Sequence, residues 1–399
     1  LNHKGLQKAF MAKKLRADWF LFVIGAALAL FGAVMVYSAS AMISLQETKN
    51  QGAYSYFYKQ SAFALIGIIL MWALTKFDYH VLQKRFFVYG FLAITIMLLG
   101  LVFLFPPVNG AQRWIRFSGF SFQPSELAKI SLPLFLASFL ANKEEEMNSL
   151  RKTLLPCLFV LIVLCGLIFM EPDLGTTIIL CAIFFVVYFS AGAKIWHLVL
   201  ISLPALIVFV SALVFSPWRL KRLIAFLDPC APENASDSGY QVCQSLYAIG
   251  SGGIFGQGFA KGQQKLFYLP YPHSDFIFAV IGEELGLIGT MTLTLVFGLF
   301  LWRGARAALR APDRFGMLLG IGIVTGIVVQ ALFNLSVALS ILPAKGIPLP
   351  FISYGGSSIV ITLSAVGILL NLSQHAGFVH VEEPKPIRSA QRKLRNARA

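Results

Sequence analysis

Apolar runs of about 20 residues recur along almost the whole chain, and this repetition decides the fold class before any motif is read. A run of that length matches the hydrocarbon thickness of a bilayer, where backbone groups must be bonded inside the protein. The chain therefore reads as an all-α polytopic membrane protein. Of its 399 residues 57% are hydrophobic and 13% charged, against the quarter or so typical of soluble domains. The first run is too long and too well continued for a cleaved signal peptide, and it reads as an uncleaved span.

Ten spans are expected: Trp19–Tyr37, Phe57–Thr75, Phe86–Phe105, Pro124–Ala141, Thr153–Met170, Leu174–Ser190, Ile195–Phe215, Phe276–Trp302, Phe315–Leu339 and Ser353–Leu372. An even number puts both termini on one side. That side collects 22 Lys and Arg residues against 10 on the other, with Lys129 inside the fourth span. The positive-inside rule then places both termini in the cytoplasm and the long loop between the seventh and eighth spans outside. The net charge of +15 is explained by this asymmetry rather than by nucleic acid. The organisation is a basic segment over 1–18, a membrane domain over 19–372 with its long outer loop at 217–275, and a basic tail over 373–399.

Several classes drop out. No His or Cys cluster has zinc spacing, no Walker sequence is present, and the glycines at 250, 252, 253, 256 and 258 do not form a dinucleotide fingerprint. Fuel-driven pumping by this chain alone is not expected. Cys157, Cys165 and Cys181 fall within spans and read as small apolar residues. Cys230 and Cys243 share the long loop and could pair if it faces an oxidising compartment; spacing leaves that open.

Candidate chemistry gathers where the long loop meets the eighth span. Asp275 follows Pro270, Pro272, His273 and Ser274. The plain reading is a helix cap favoured by the dipole, and the functional one is a carboxylate able to accept a proton from a hydroxyl. Glu283 and Glu284 lie about 12–14 Å deeper by helical rise, turned to different faces. Acids at such depth need partners or a wet cavity, and a structural ion pair is the plain reading.

The fourth span begins Gln123-Pro124-Ser125-Glu126-Leu127-Ala128-Lys129. Lys129 opposes the helix dipole, so either it pairs with Glu126 at i,i+3 or it takes an anion from outside, such as a lipid phosphate. Arg113 and Arg116 in the preceding loop suit phosphate as well. Glu171-Pro172-Asp173 reads as a capped helix hairpin. Pro343-Ala344-Lys345-Gly346 through Ser358 is rigid, then small and polar, fit for close helix packing or for holding a phosphate beside Lys345. Trp218–Phe226 is basic and amphipathic, suited to the outer membrane surface. Together these segments outline an outer-leaflet cavity lined by acids and cations, suited to an anionic lipid with a polar head. Residue types alone do not choose between catalysis on such a lipid and its transport.

The same segments resemble, in order and along nearly the full length, the SEDS (shape, elongation, division and sporulation) family. The carrying residues are Arg113-Trp114-Ile115, Gln123 to Lys129, Glu171 to Gly175, Gly239-Tyr240-Gln241 and Gln244-Ser245. They continue with His273 to Ala279, Glu283 to Gly286, Pro343 to Gly346 and Pro350 to Ser358. Val36-Tyr37-Ser38-Ala39-Ser40 and basic tails at both ends favour the division members over the elongation members.

The resemblance implies a peptidoglycan glycosyltransferase of the cell inner membrane that polymerises lipid II at the outer face during septal synthesis. Asp275 matches the family's essential aspartate, the expected general base for the acceptor sugar's 4-hydroxyl. Lys129, Lys345 and Arg113 are the cations expected near the pyrophosphate, with Glu126 orienting Lys129. Gln241, Gln244, Ser245, His273 and Ser353 complete the expected substrate contacts. No cofactor is firmly implied, and a divalent cation (Mg or Mn) is the candidate. Implied partners are an FtsI-like class B penicillin-binding transpeptidase and division proteins such as FtsQ, FtsB and FtsL. A lipid II flippase and a non-catalytic division scaffold are the competing readings. Two departures stand out: Ala344 replaces an expected hydroxyl residue, and Cys230 and Cys243 flank an acidic insertion, Pro232–Ser238, foreign to the family pattern.

Overall fold

The computed structural model describes residues 17–47, 52–107, 110–117, 120–147, 149–215, 217–234 and 239–375. The basic segment Lys4–Arg16, residues 235–238 of the acidic insertion and the tail beyond His375 lie outside the described residues. In chain order the helices begin with α1 (Trp19–Glu47), α2 (Ser55–Lys76), α3 (Arg85–Leu101) and α4 (Ser125–Ala141). Next come α5 (Leu155–Met170), α6 (Leu174–Ser190), α7 (Ile195–Val214), α8 (Pro217–Leu227) and α9 (Tyr240–Gly252). The last three are α10 (Ile277–Leu309), α11 (Arg314–Ala338) and α12 (Gly356–His375). Among the described residues seven helices, α1, α2, α3, α5, α10, α11 and α12, are long and apolar enough to cross a membrane, and α6 is a shorter apolar helix. The protein is a helical polytopic membrane protein.

The exposed side chains of the bundle are largely apolar, as a lipid solvent requires: Phe20, Val23 and Leu30 on α1, and Leu287, Met291 and Leu295 on α10, face outward. At the centre stands α11, buried along most of its length and packed against α4, α6, α10 and α12. Two of its glycines, Gly320 and Gly322, allow this, since a Cβ on either would meet Ala308 or Pro133.

The connecting segments sort into two ends. At one end Asp18 pairs with Arg303 at 2.8 Å, Tyr79 donates to Asp313, and Arg314 pairs with Glu144 at 2.6 Å. Asn371 accepts from the backbone N–H of Tyr79 at 3.2 Å at that same end. At the other end lie the 110–123 segment, the Glu171-Pro172-Asp173 turn, Asp275 and the segment before α12, linked by the bonds described below.

The structure differs from the sequence expectation in four places. α1 runs on to Glu47 rather than stopping at Tyr37, because Ser38, Ser40 and Ser44 turn into the bundle and find acceptors. The 110–123 loop holds a hairpin of β1 (Ile115–Phe117) and β2 (Phe120–Phe122), antiparallel with Ile115 opposite Phe122. Its alternation of apolar and polar residues is the period of a strand. The long loop carries the amphipathic helix expected at Trp218–Phe226, as α8, and a Cys230–Cys243 disulfide that spacing had left open; what the sequence reading lacked is α9 at Tyr240–Gly252.

The fourth difference concerns the helix behind Asp275. At Gly286 the backbone of α10 leaves helical geometry (φ 67°, ψ −162°), a conformation that glycine adopts without a Cβ penalty. The break frees polar backbone groups, and the segment after α9 bonds to them. Gln257 and Gly258 donate to the carbonyls of Glu283 and Glu284 at 2.9 and 3.0 Å, and Leu287 donates to Gly253 at 2.9 Å. Glu283 and Glu284 therefore serve the same loop instead of separate faces.

Candidate active site

The backbone on either side of Asp275 is fixed by bonds to two elements, the segment before α12 and α11. Ser353 Oγ donates to the carbonyl of Ser274 at 2.5 Å and accepts from the N–H of Leu349 at 2.7 Å. The N–H of Tyr354 donates to the carbonyl of His273 at 2.8 Å. Asn334 Nδ2, from α11, donates to the carbonyl of Asp275 itself at 2.7 Å. Gln60 of α2 secures the far side, donating to the Ser353 carbonyl at 3.2 Å and accepting from Gly355 at 3.3 Å.

The side chain of Asp275 is not a helix cap. The capping position of α10 is Phe276, with no side-chain cap bond. Asp275 Oδ2 instead lies over Gly346, where an added Cβ would stand 3.0 Å away. Burial pushes its carboxyl up to about 6, while a Ser274 hydrogen bond and the Arg113 charge pull it down and Asp173 pushes it further up. A carboxyl poised there is ionised at neutral pH yet more basic than an ordinary aspartate, the property a general base needs.

Arg113 reaches the same end but grips backbone: Nε donates to the carbonyl of Glu171 at 3.0 Å and a second nitrogen donates to that of Pro172. Its charge is thus not consumed in a carboxylate fork. Asp173 caps α6, accepting from the N–H of Thr176 at 3.0 Å and from its hydroxyl at 2.8 Å, and also takes Gln123 Nε2 at 3.3 Å. Glu171 is fully buried, and its two carboxyl oxygens have no hydrogen-bond partner among the described residues. Burial, then Asp173, push its carboxyl up to about 9 against the opposing pull of Arg113.

The other sequence candidates take different places. Lys129 pairs with Glu126 at 2.8 Å and donates to Gln330 Oε1 at 2.5 Å, so the i,i+3 ion pair is the one formed. The cavity beside it, lined in part by Gln330, Thr362 and Gly326, is about 20 Å³, room for a water but not a phosphate. Ser245 is buried and donates to the carbonyl of Ala338 at 2.8 Å. Gln241 and Gln244 lie on α9, half-buried. Lys345 immediately precedes Gly346 beside Asp275. His273 packs its ring 5.0 Å from Tyr56 and 5.7 Å from Tyr354. The deep acids are held internally: Glu284 takes Lys265 at 2.5 Å and Ser38 at 2.6 Å, and Glu283 accepts from the N–H groups of Gln263 and Gln264 at 2.6 and 3.1 Å.

Gln60, Gln330 and Asn334 escaped the sequence reading. Their signal was an amide within an apolar span, costly in a bilayer without a use. No three His, Cys, Asp or Glu side chains among the described residues are grouped to hold a metal ion. An Mg or Mn ion shared between one carboxylate and a substrate's phosphates needs no such cluster.

Fold and site define a polytopic helical membrane protein with a carboxyl of raised pKa and a guanidinium held on backbone carbonyls at one end of the bundle. Comparison with known proteins is specific. Residues 18–377 match the FtsW/RodA/SpoVE model, described as a cell cycle protein. The chain is 40% identical over 369 residues to stage V sporulation protein E of Bacillus subtilis (strain 168), covering 92% of this chain and 99% of that one. It is 40% identical over 364 residues to the probable peptidoglycan glycosyltransferase FtsW of Geobacter sp. (strain M18), covering 89% and 96%. A chain solved in a peptidoglycan synthase complex that coordinates polymerization and crosslinking aligns with TM-score 0.73 and 28% identity, covering 90% of this chain and 98% of that one. The protein belongs to the FtsW/RodA/SpoVE family.

Proposed function

We propose that this chain is a peptidoglycan glycosyltransferase that polymerises lipid II at the outer face of the inner membrane during septal cell-wall synthesis. The observation that carries the reading is the state of Asp275: freed from capping, its backbone gripped by Asn334 and Ser353, its carboxyl raised to about 6. The Asp275 carboxylate takes the proton of the acceptor sugar's 4-hydroxyl. That oxygen forms a bond to the anomeric carbon of the donor, and undecaprenyl pyrophosphate departs with the electron pair of the broken C–O bond. Configuration at the anomeric carbon inverts. The departing charge calls for fixed cations, and Arg113 and Lys345 stand at the right end of the bundle. Lys129 contributes through Glu126 and Gln330 rather than by direct contact.

Ten spans with both termini in the cytoplasm fit the charge bias of 22 to 10 and the sorting of the connecting segments to two ends. A Cys230–Cys243 disulfide suits a periplasmic loop. The solved relative belongs to a complex that coordinates polymerization with crosslinking, which supports a crosslinking partner. We take that partner to be an FtsI-like class B penicillin-binding transpeptidase, with FtsQ, FtsB and FtsL as further division contacts. A flippase would use acids at several depths, but Glu283 and Glu284 are already committed to Lys265, Ser38 and loop amides.

The test is glycan-chain synthesis from lipid II by the protein with its cognate transpeptidase, wild type against Asp275→Asn. Polymer from the wild type and none from a folded, partner-binding variant supports the reading. A variant as active as the wild type refutes Asp275 as the base and revives the flippase and the scaffold.

A further inference from the structure

Two amides one turn apart on α11, Gln330 and Asn334, are both almost fully buried, with 3% and 1% exposure. Asn334 spends both amide hydrogens on main-chain carbonyls: Asp275 at 2.7 Å and Ile347 at 2.8 Å. Those acceptors fix the orientation of the amide, because the flipped form would face two carbonyls with an oxygen. Gln330 donates to the next carbonyl along the same strip, Pro348, at 2.8 Å, and accepts from Lys129 at 2.5 Å. Lys129 in turn holds Glu126 at 2.8 Å. A continuous polar path thus runs from α4 through α11 to the backbone of Asp275, through otherwise apolar packing.

We propose that Asn334 is a positioning residue for Asp275, clamping its main chain to the segment Lys345–Pro348, and that Gln330 extends the clamp to the Glu126–Lys129 pair. Without it, two carbonyls lose their donors, and the loop that opposes the carboxylate through Gly346 is no longer held to the turn that carries it. Buried acceptors stripped of their donors cost stability, so a loss of activity alone would not distinguish positioning from folding. The distinguishing quantity is the acid limb of the rate profile. The charged groups acting on Asp275 are Arg113 and Asp173, from the segment before β1 and the α5–α6 turn, and neither bonds to Asn334. Release of the clamp lets the carboxylate move toward solvent, which lowers its apparent pKa without altering those partners.

The inference rests on the polymerase reading, and the experiment separates the two. Lipid II polymerisation by the full chain with its cognate transpeptidase is followed across pH for wild type, Asn334→Ala and Asn334→Ser, with retention of the partner as the folding control. A wild type that makes no polymer defeats the functional reading itself. With an active wild type, Asn334→Ala is expected to lose about 10- to 100-fold in kcat with KM within about threefold. Its acid limb should shift from near 6 toward the ordinary aspartate value near 4. Asn334→Ser, which keeps one donor, should fall between. Wild-type kinetics, or a loss equal at every pH with the limb unmoved, overturns the proposal, as does failure of both variants to fold.

Discussion

The carboxylate of Asp275 lies over Gly346, so close that a single added carbon on the glycine would stand 3.0 Å from Oδ2. The two residues come from segments far apart in sequence, and a methyl at position 346 fits only if the carboxylate gives way by a few tenths of an ångström. Gly346→Ala should push the carboxylate by a fraction of an ångström and reduce the polymerisation rate about 10- to 100-fold. Thermal unfolding in detergent should stay near that of the wild type. A variant of normal activity would show that the site tolerates displacement of its acid.

The pH profile offers an independent check. The Asp275 carboxyl is raised to about 6, so the carboxylate form predominates only above that value. Activity should climb as pH passes upward through about 6 and level off near neutrality. An acid limb near the ordinary aspartate value of about 4 would mean that Asp275 is solvated during turnover.

Glu171 should behave as a neutral acid. With its carboxyl raised to about 9, the folded protein holds the proton that the unfolded chain releases above the ordinary glutamate range. Its effect on stability is therefore absent at low pH and grows more adverse as pH rises from about 4 to 9. Glu171→Gln should retain polymerase activity at neutral pH and unfold at a higher temperature there, an advantage that disappears in acid. Melting curves at several pH values decide the matter; a glutamine variant less stable than the wild type at neutral pH would show that Glu171 is ionised and paired.

The buried Lys265–Glu284 pair makes a different demand. Removing one charge leaves the other buried without its counter-ion, so Lys265→Met or Glu284→Met should each cost about 3–5 kcal/mol. The double variant Lys265→Met/Glu284→Met removes both charges and should recover much of that loss. Thermal or denaturant unfolding of the four proteins checks this, and a double variant as unstable as the sum of the singles would contradict it.

Much of the membrane domain was legible because the bilayer leaves the backbone few choices: Leu174–Ser190 is a helix with those bounds both as read and as folded. The overrun of α1 past Tyr37 was not legible, since Ser38, Ser40 and Ser44 look like loop residues until their acceptors are seen. The Glu126–Lys129 pair is one of the two readings that helical spacing left open for Lys129. Asp275 stood out by its place, but its freedom from capping did not, because the helix start shifts to Phe276 once the turn is anchored by Ser353 and Asn334. Those anchors come from α11 and the segment before α12, and no local pattern joins them to residue 275.

The break at Gly286 divides the Asp275 helix into two segments. Above it, Ile277 to Leu285 is laced to the 253–265 loop by Glu283, Glu284 and their carbonyls. Below it, the longer rod runs to Leu309 and carries Arg303, bound to Asp18 at the far end of the bundle. The same loop also holds the rod just past the break, accepting the N–H groups of Leu287 and Ile288 on the carbonyls of Gly253 and Ile254. A displacement of that loop therefore reaches the turn of Asp275 and the start of the rod together, so the glycine is a joint braced on both sides.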